Sequence, residues 1–381
     1  MMNNKNLNLT GYQTSLVWRY FERFMSISTK AMSKKISAGR FFENFVLNEV
    51  IQHATPRTIT AGDCSLYIAL YGSRNPLHCS EPFAQSLSYK SVPVDDLLAF
   101  HIAFGKTVPD ISVNAVANLG YADVRFLQPV FVGDTLSTSS TVIGLKQNSN
   151  GKSGVVYVRS TSINQRGEPV LSWVRWVMVH KNNPDAPAPT STIPDLPSIV
   201  SPENLTLPHF FSANKFDNKM TGGQYFWDDY EVGERINHAA GMTINPADHT
   251  LATRLYQNNA RLHFDDHLMK TSSFGQRLVY GGVAISMCRA ISVEGLENAL
   301  IILAINAGTH ANPCFAGDTI YCATEVLDTW ALPNKDLGAL RLRMIGIKNM
   351  PASEITEFKT STGYHPNVVL DLDYTIAMPK K

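Results

Sequence analysis

Two histidines in this 381-residue chain, His78 and His263, stand in surroundings that suit acid–base chemistry. An imidazole takes and gives a proton near neutral pH, which is what a general base or acid must do. His78 ends the segment Asn-Pro-Leu-His (75–78), with Ser73 five residues before it, and Asn258 stands five residues before His263. A hydroxyl or an amide accepts no proton at pH 7, so each histidine must act alone or use a carboxylate from elsewhere.

The backbone after each histidine separates the two candidates. An apolar helix is predicted to follow both, but one begins at the double glycine Gly281 and Gly282 and the other at Val-Asp-Asp (94–96). N–H groups at a helix N-terminus attract negative charge, and glycine allows a ligand to approach them closely. We therefore predict a working site at the double glycine with His263 as its base, the alternative being a buried, hydrogen-bonded histidine. His78 is predicted to be structural or near a bound carrier.

The chain is an internal duplication, with one of these histidines in each half. A constant shift of 185 in residue number lays 42–78 on 227–263 without a gap and pairs identical residues at 12 of 37 positions. Unrelated segments match at about one position in sixteen. Further on, Pro-Val-Phe-Val-Gly-Asp-Thr-Leu (129–136) is repeated as Pro-Cys-Phe-Ala-Gly-Asp-Thr-Ile (313–320). Both halves must therefore share one fold.

Each half predicts the same order of elements. A short strand leads to a helix with Thr60 or Asn245 as N-cap, then to the histidine loop, the apolar helix and a series of strands. The predicted apolar helices span about 94–106 and 282–292, and the clearest strands span 154–163, 170–179, 340–347 and 368–377. One long helix wrapped by an antiparallel sheet is the hot-dog arrangement. We expect an α+β double hot-dog fold, with two tandem hot-dog domains.

Changes in residue composition along the chain suggest the domain boundaries. Seven prolines occur between Lys181 and Pro208, which is typical of an extended linker. We predict a first hot-dog domain at 39–180 with a degenerate site, a Pro-rich linker at 181–221 and a catalytic second domain at 222–381. Residues 1–38 form a basic N-terminal extension, interpreted as flexible or helical, with a targeting peptide as the alternative and Met32 as a possible true start.

Composition also excludes several classes of protein. With 33 basic and 32 acidic side chains, the chain lacks the basic excess that a nucleic acid or an anionic membrane surface would favour. Its five cysteines are scattered singly, without the spacing of a zinc site. The aliphatic run 299–305 is far shorter than the ~20 residues of a membrane span. We expect a soluble, cytoplasmic protein with reduced thiols and no metal.

Several longer strings carry a specific resemblance. Examples are His-Ala-Thr-Pro-Arg-Thr (53–58), Phe-Gly-Lys-Thr-Val-Pro-Asp-Ile-Ser (104–112), Asn-Ala-Val-Ala-Asn-Leu-Gly-Tyr (114–121), Asn-Ser-Asn-Gly-Lys-Ser-Gly-Val-Val-Tyr-Val-Arg-Ser (148–160) and Asn-Gln-Arg-Gly-Glu-Pro-Val-Leu-Ser (164–172). With Leu-Tyr-Gln-Asn (255–258) and Tyr-Gly-Gly (280–282), they make the chain resemble the mesaconyl-CoA hydratase (beta-methylmalyl-CoA dehydratase) family of MaoC-like hydratases from about Gly39 onwards. The general MaoC-like motif has an aspartate where Ser73 and Asn258 stand here, and Asn258 is a departure associated with this subfamily.

The resemblance implies the reversible dehydration of beta-methylmalyl-CoA to mesaconyl-CoA by a hydro-lyase. Water must then be deprotonated, the alpha carbon protonated, and negative charge on the thioester oxygen stabilised. His263 and Asn258 would be the catalytic residues, and Gly281 and Gly282 would bind the thioester oxygen. No cofactor is expected beyond the CoA of the substrate, which would lie along the seam between the halves. A homo-oligomer is also expected.

The substrate of that reaction carries a free carboxylate, which a buried pocket would pair with an arginine. Arg261 and Arg254 are the candidates, and Arg277 could instead meet CoA phosphates; a surface or structural role is the alternative for each. A carboxylate partner for His263 is left open by the sequence. Asp265 and Asp266 are close by but typical of a solvated surface, and Asp95 or Asp96 would have to reach across the interface between the halves.

Three other functions remain open on the sequence alone. An (R)-specific enoyl-CoA hydratase for plain acyl chains would have an apolar pocket without a dedicated arginine. An acyl-CoA thioesterase would release the free CoA thiol. A catalytically silent CoA-ester-binding protein would account for the missing aspartate in both halves.

Overall fold

The two apolar segments of the sequence form the central helices. The computed structural model describes residues 39–333 and 336–381, together with Lys35 and Ser37; the rest of the predicted extension 1–38 lies outside the described residues. In chain order the helices are α1 (Ala61–Tyr71), α2 (Glu81–Ser86), α3 (Asp96–Ile111), α4 (Pro246–Leu255), α5 (Arg261–Phe264), α6 (Asp266–Met269) and α7 (Gly281–Ile291). The central helices are α3 and α7, which are buried along almost their entire length.

Almost all of the strands join one antiparallel sheet that runs through both halves. They are β1 (Val50–Gln52), β2 (Arg57–Thr58), β3 (Ala115–Phe126), β4 (Thr135–Gln147), β5 (Ser153–Ile163), β6 (Pro169–His180), β7 (Arg235–Asn237), β8 (Met242–Thr243), β9 (Ile301–Thr309), β10 (Thr319–Ala331), β11 (Leu337–Lys348), β12 (Lys359–Thr360), β13 (Gly363–Tyr364) and β14 (Val368–Pro379). The order is β1-β4-β5-β6-β3-β9-β14-β11-β10-β7, with β2 on β4 and β8 on β10; β12 and β13 pair separately. Two long helices against an antiparallel sheet confirm the predicted double hot-dog fold.

The two halves meet where β3 pairs with β9. Ala122 lies opposite Ala307, and these numbers differ by 185, the shift that relates the halves in sequence. The pair therefore marks a pseudo-twofold axis. The same shift relates Tyr71 to Tyr256, whose hydroxyl oxygens lie 2.8 Å apart in the core. Duplication has supplied within one chain a symmetric pairing of the kind found at the interface of a homodimer.

The alternation of buried and less buried side chains, together with residues that favour a tight turn, explains the long strands. Along β4 every second side chain from Leu136 to Val142 is buried, the period expected of a strand with one face on the core. The hairpin between β5 and β6 turns at Gly167, which has a φ of 78°. There Asn164 Oδ1 accepts hydrogen bonds from the N–H groups of Arg166 and Glu168. These local signals place the strands within three residues of their predicted bounds.

The prediction for the first apolar helix was wrong at its C-terminal end. Helix α3 continues past Lys106 to Ile111 and contains Pro109. A proline inside a helix removes one backbone hydrogen bond. The burial of Val108 and Ile111 offsets that loss, because both side chains are about 1% exposed. Local propensity therefore underestimates the length of a helix that is held by its packing.

The segment 181–221 is extended and attached to the sheet. Backbone N–H groups of Leu145 and Thr192 donate to each other's carbonyl oxygens at 2.9 and 2.8 Å. Farther along, Val200 N–H donates to Asn306 Oδ1 at 2.9 Å, and Pro202–Asn204 forms a 3₁₀ turn. The domain boundaries stay a prediction. Across the described residues, we find no helix with the length and apolar character needed to cross a membrane.

The close approach of the two halves gives a test of the packing. A Cβ on Gly105 of α3 would lie 1.9 Å from the carbonyl oxygen of Tyr256. We expect Gly105→Ala to lower the free energy of unfolding by about 1–3 kcal/mol, because backbone has to move to accommodate the methyl group. Gly62→Ala in α1 is the control: its Cβ would meet only Thr60 Oγ1, at 3.6 Å, so we expect a gain of up to about 1 kcal/mol. Urea unfolding of both variants is the measurement; equal effects would contradict the tight contact.

Candidate active site

Both histidines make the same hydrogen bond, so the duplication has preserved their geometry. Nδ1 of His263 donates to the carbonyl oxygen of Leu278 at 2.9 Å, and Nδ1 of His78 donates to that of Pro93 at 3.2 Å. The residue numbers of the two acceptors differ by 185, as do those of the two histidines. A carbonyl oxygen can only accept, so each Nδ1 carries the hydrogen and each Nε2 of the neutral ring carries the lone pair. Either Nε2 is thus able to take a proton.

The helix N-termini next to the two histidines differ. Asp95 Oδ1 accepts hydrogen bonds from the N–H groups of Leu97 and Leu98, at 2.9 and 3.4 Å, and so caps α3 with a carboxylate. Helix α7 has no side-chain cap. Within the described ranges, no acceptor bonds to the N–H groups of Gly281 and Gly282. The first turn of α7 therefore keeps the donors that a developing oxyanion requires.

Aromatic rings surround the double glycine. A Cβ on Gly281 would lie 2.2 Å from the ring of His310, and one on Gly282 would lie 2.3 Å from Tyr280 and 2.6 Å from His101. Glycine is thus required at both positions, because any larger residue would displace these rings. Access of a ligand to the two N–H groups stays a prediction.

The imidazoles at this site are neutral at pH 7. Burial lowers the pKa of His263 to about 4, although its bond to Leu278 acts in the opposite direction. Burial also lowers the pKa of His310 to about 4 and those of His249 and His101 to about 3. The ring of His249 lies 6.5 Å from that of His263. A neutral His263 is ready to accept a proton, without first having to lose one.

The structure uses Asn258 locally. Its side chain is 2% exposed, and its Oδ1 accepts a hydrogen bond from the N–H of Ala260 at 3.1 Å. The preceding Gln257 has a φ of 52°, in the left-handed region. The amide therefore shapes the loop that leads into α5. A catalytic role for Asn258 stays a prediction, because its contact to the backbone is what the structure establishes.

The three predicted arginines lie in different surroundings. Arg254 and Arg261 are exposed, and in the described part of the chain neither makes an ion pair. Half-buried Arg277 donates from Nη1 to Thr250 Oγ1 at 3.2 Å, and its Nε lies 3.6 Å from Asp266 Oδ1.

Asp265 instead caps α6 by accepting from Leu268 N–H at 2.9 Å. The two sequence-adjacent aspartates are thus engaged away from His263.

Residue types and spacing did not predict the second polar site that the structure shows around His78. Asp96 Oδ2 lies 3.9 Å from His78 Nε2 and accepts a hydrogen bond from Ile302 N–H at 3.1 Å. Burial raises the pKa of Asp96 to about 6. These groups line a small cleft that opens to solvent. We name it the His78 cleft; its lining is Ser73, Asn75, His78, Asp95, Asp96, Arg289, Val293, Leu300 and Ile302.

One signal in the sequence could have indicated this cleft. Under the shift that relates the halves, Asp96 corresponds to Gly281, so a carboxylate stands where the other half has a glycine. The sequence offers Asp95 and Asp96 as partners that would reach across to His263. Instead, Asp95 caps its own helix and Asp96 faces His78. Arg289 comes from the other half, and its contribution could not be derived from the spacing of residues.

Comparison with known proteins agrees with the geometry. Residues 18–351 match the family described as mesaconyl-CoA hydratase. Beta-methylmalyl-CoA dehydratase of Chloroflexus aurantiacus is 55% identical over 351 residues, 92% of this chain and 100% of that protein. Mesaconyl-CoA hydratase of Cereibacter sphaeroides is 51% identical over 346 residues, 91% of this chain and 100% of that protein.

Solved structures extend the comparison to the fold. A MaoC domain protein dehydratase from Chloroflexus aurantiacus superimposes with a TM-score of 0.89 at 54% identity, covering 92% of this chain and 100% of that one. A Mycobacterium tuberculosis protein described as a double hotdog fold gives a TM-score of 0.71 at 24% identity, covering 90% of this chain and 99% of that one. The second likeness supports the fold alone.

The lowered pKa values predict a loss of stability in acid. The pKa of a histidine in the unfolded chain is about 6.5, so below that pH the unfolded state binds more protons and stability falls until the folded pKa is reached. For His101, whose folded pKa is about 3, we expect a loss of about 2 kcal/mol between pH 7 and 5. His101→Asn should remove that part of the pH dependence in urea unfolding. The exposed His267→Asn is the control; the same pH dependence in both variants would contradict the assignment.

Proposed function

This chain belongs to the mesaconyl-CoA hydratase family, and from that premise we propose how it catalyses the reversible dehydration of beta-methylmalyl-CoA to mesaconyl-CoA. It is a hydro-lyase of the MaoC-like type that acts on a small acyl-CoA. The observation that carries the proposed site is the uncapped N-terminus of α7 next to His263. On α3, next to His78, Asp95 occupies the N–H groups of Leu97 and Leu98, and Leu97 corresponds to Gly282 under the shift that relates the halves.

In the hydration direction, Nε2 of His263 removes a proton from water while the water oxygen bonds to the beta carbon. The electron pair of the carbon–carbon double bond moves towards the thioester, and its oxygen becomes the enolate oxygen. The imidazolium then returns a proton to the alpha carbon, which restores neutral His263. The bond from Nδ1 to Leu278 keeps Nε2 as the reacting nitrogen throughout. Dehydration is the same sequence in reverse.

The enolate oxygen requires hydrogen-bond donors that are in place before the reaction begins. We propose that the N–H groups of Gly281 and Gly282 supply them, supported by the positive end of the α7 dipole. A carboxylate cap such as Asp95 would oppose the same charge. For this reason we place hydration in the second half. Asn258 then contributes by holding the loop before His263 in position.

The free carboxylate of the substrate is proposed to meet an arginine at the mouth of this site. Arg261 lies two residues before His263 on α5, and Arg254 lies at the end of α4; both are exposed. Arg277 is proposed to contact the phosphates of CoA, which would compete with its present neighbour Asp266. An arginine can hold a carboxylate with two parallel hydrogen bonds, which positions the beta carbon as well as neutralising charge.

The remaining proposals concern cofactors and surroundings. Addition of water involves no net redox change, so we propose that it needs no redox cofactor; the proposed N–H donors would stabilise the enolate oxygen, so we propose no metal either. CoA takes part only as a portion of the substrate. We also propose that the protein is a cytoplasmic homo-oligomer. We propose no nucleic-acid or membrane partner, because a chain with 33 basic and 32 acidic side chains lacks the positive charge that attracts nucleic acids and anionic membranes.

His263→Ala tests the proposed base. We expect the hydration rate to fall by about 10²–10⁴-fold, since that is what a positioned general base contributes. The measurement is loss of the enoyl-thioester absorbance after addition of enzyme to mesaconyl-CoA. His267→Ala, an exposed histidine on α6, is the matched control and should keep wild-type activity. Full activity in His263→Ala together with its loss in His78→Ala would place the chemistry in the first half instead.

Substrate preference tests the reaction against its rivals. We expect faster turnover of mesaconyl-CoA than of crotonyl-CoA, because only the former has a carboxylate for an arginine to hold. No free CoA thiol should accumulate in a thiol-specific dye assay. A preference for crotonyl-CoA would indicate an enoyl-CoA hydratase for plain acyl chains, and thiol release would indicate a thioesterase.

A further inference from the structure

Arg289 is an unpaired cation in the His78 cleft. It projects from the C-terminal part of α7, and its Nη1 is buried without a hydrogen-bond partner. Within the described residues it forms no ion pair with a carboxylate, although it lines the same cleft as Asp96. A buried donor without an acceptor costs about 1–3 kcal/mol. An acceptor supplied by a ligand would recover that cost.

The cleft is lined by both polar and apolar residues. Val293 and Ile302 supply apolar surface, and Ser73 and the Nε2 of His78 are polar groups. A guanidinium favours a planar carboxylate, to which it can donate two parallel hydrogen bonds. The lining therefore combines a cation for a carboxylate with apolar surface for an aliphatic chain and with further polar groups.

We propose that the His78 cleft is a second ligand site, which binds a short aliphatic dicarboxylate or the carboxylate end of an acyl-CoA through Arg289 without hydrating it. The statement that this cleft does not hydrate its ligand rests on the proposed function, in which the enolate needs the N–H groups at a helix N-terminus. Here Asp95 occupies the N–H groups of Leu97 and Leu98 at the start of α3, and Asp96 occupies Ile302 N–H. The cleft has a base and a cation, but it lacks the pair of adjacent donors that Gly281 and Gly282 offer on α7.

The charged groups that line the cleft are Arg289 and the two carboxylates Asp95 and Asp96. Asp96 faces His78, Asp95 and Arg289, and burial already raises its pKa to about 6. An incoming carboxylate would favour the protonated form of Asp96 further. Protonated Asp96 can donate a hydrogen bond to the ligand, so its repulsion is removed when the site is filled.

The test is calorimetric titration of the full chain with mesaconate, a free dicarboxylate, as the probe. We expect saturable binding that Arg289→Gln weakens at least tenfold. Arg74→Gln removes an exposed arginine from the loop that carries Ser73 and should leave the affinity unchanged. Val293→Phe should also abolish binding, because it fills the cleft and leaves Arg289 intact. Wild-type affinity in Arg289→Gln would overturn the proposal.

A second titration identifies the source of the carboxylate. In His263→Ala, mesaconyl-CoA should bind at two sites per chain if the cleft takes the acyl-CoA, and at one site if it takes only the free acid. Binding needs no turnover, so a failure of the proposed function leaves these titrations interpretable. Loss of hydration in Arg289→Gln, despite an intact fold by circular dichroism, would show that Arg289 serves the reaction itself and would overturn a non-hydrating site.

Discussion

The antiparallel pairing of β3 with β9 is the constraint on which the rest of the structure depends. It joins the two halves into one sheet around Ala122 and Ala307 and so relates them by a pseudo-twofold axis. The axis brings α3 and α7 together, where Nε2 of His101 lies 3.1 Å from Ser286 Oγ. The numbers of these two residues also differ by 185. Groups from both halves can therefore contribute to one cleft, as Asp96 and Arg289 do.

Divergence of the two sites began from one geometry. Each histidine still donates from Nδ1 to a backbone carbonyl, but the residues after that carbonyl are acidic in the first half and uncharged in the second. Asp95 neutralises the N-terminus of α3, whereas the glycines of α7 leave its donors without an acceptor in the described structure. A hydrogen bond that both halves keep thus orients the base. The helix N-terminus determines what that base can do.

Several features could be predicted because they depend on neighbouring residues. Strand alternation and the Asn164 turn involve residues close in sequence, and the repeat is a comparison of the chain with itself. The end of α3 was missed because burial of Val108 and Ile111, which depends on distant elements, outweighs the effect of Pro109. The sequence predicts a catalytic role for Asn258, and that role stays a prediction; its bond to Ala260 depends on the path of the loop, which spacing does not specify.

The sequence by itself determined the duplication, the double hot-dog fold, the two histidines and the contrast between aspartate and glycine at the helix N-termini. Each is a matter of periodicity, local capping or residue type. Only the tertiary structure decided which groups face each histidine and how burial shifts the pKa values of His263 and Asp96. Arg289 reaches the His78 cleft from the other half of the chain. Contacts between halves and exclusion of water depend on the packed chain, so residue spacing alone cannot specify them.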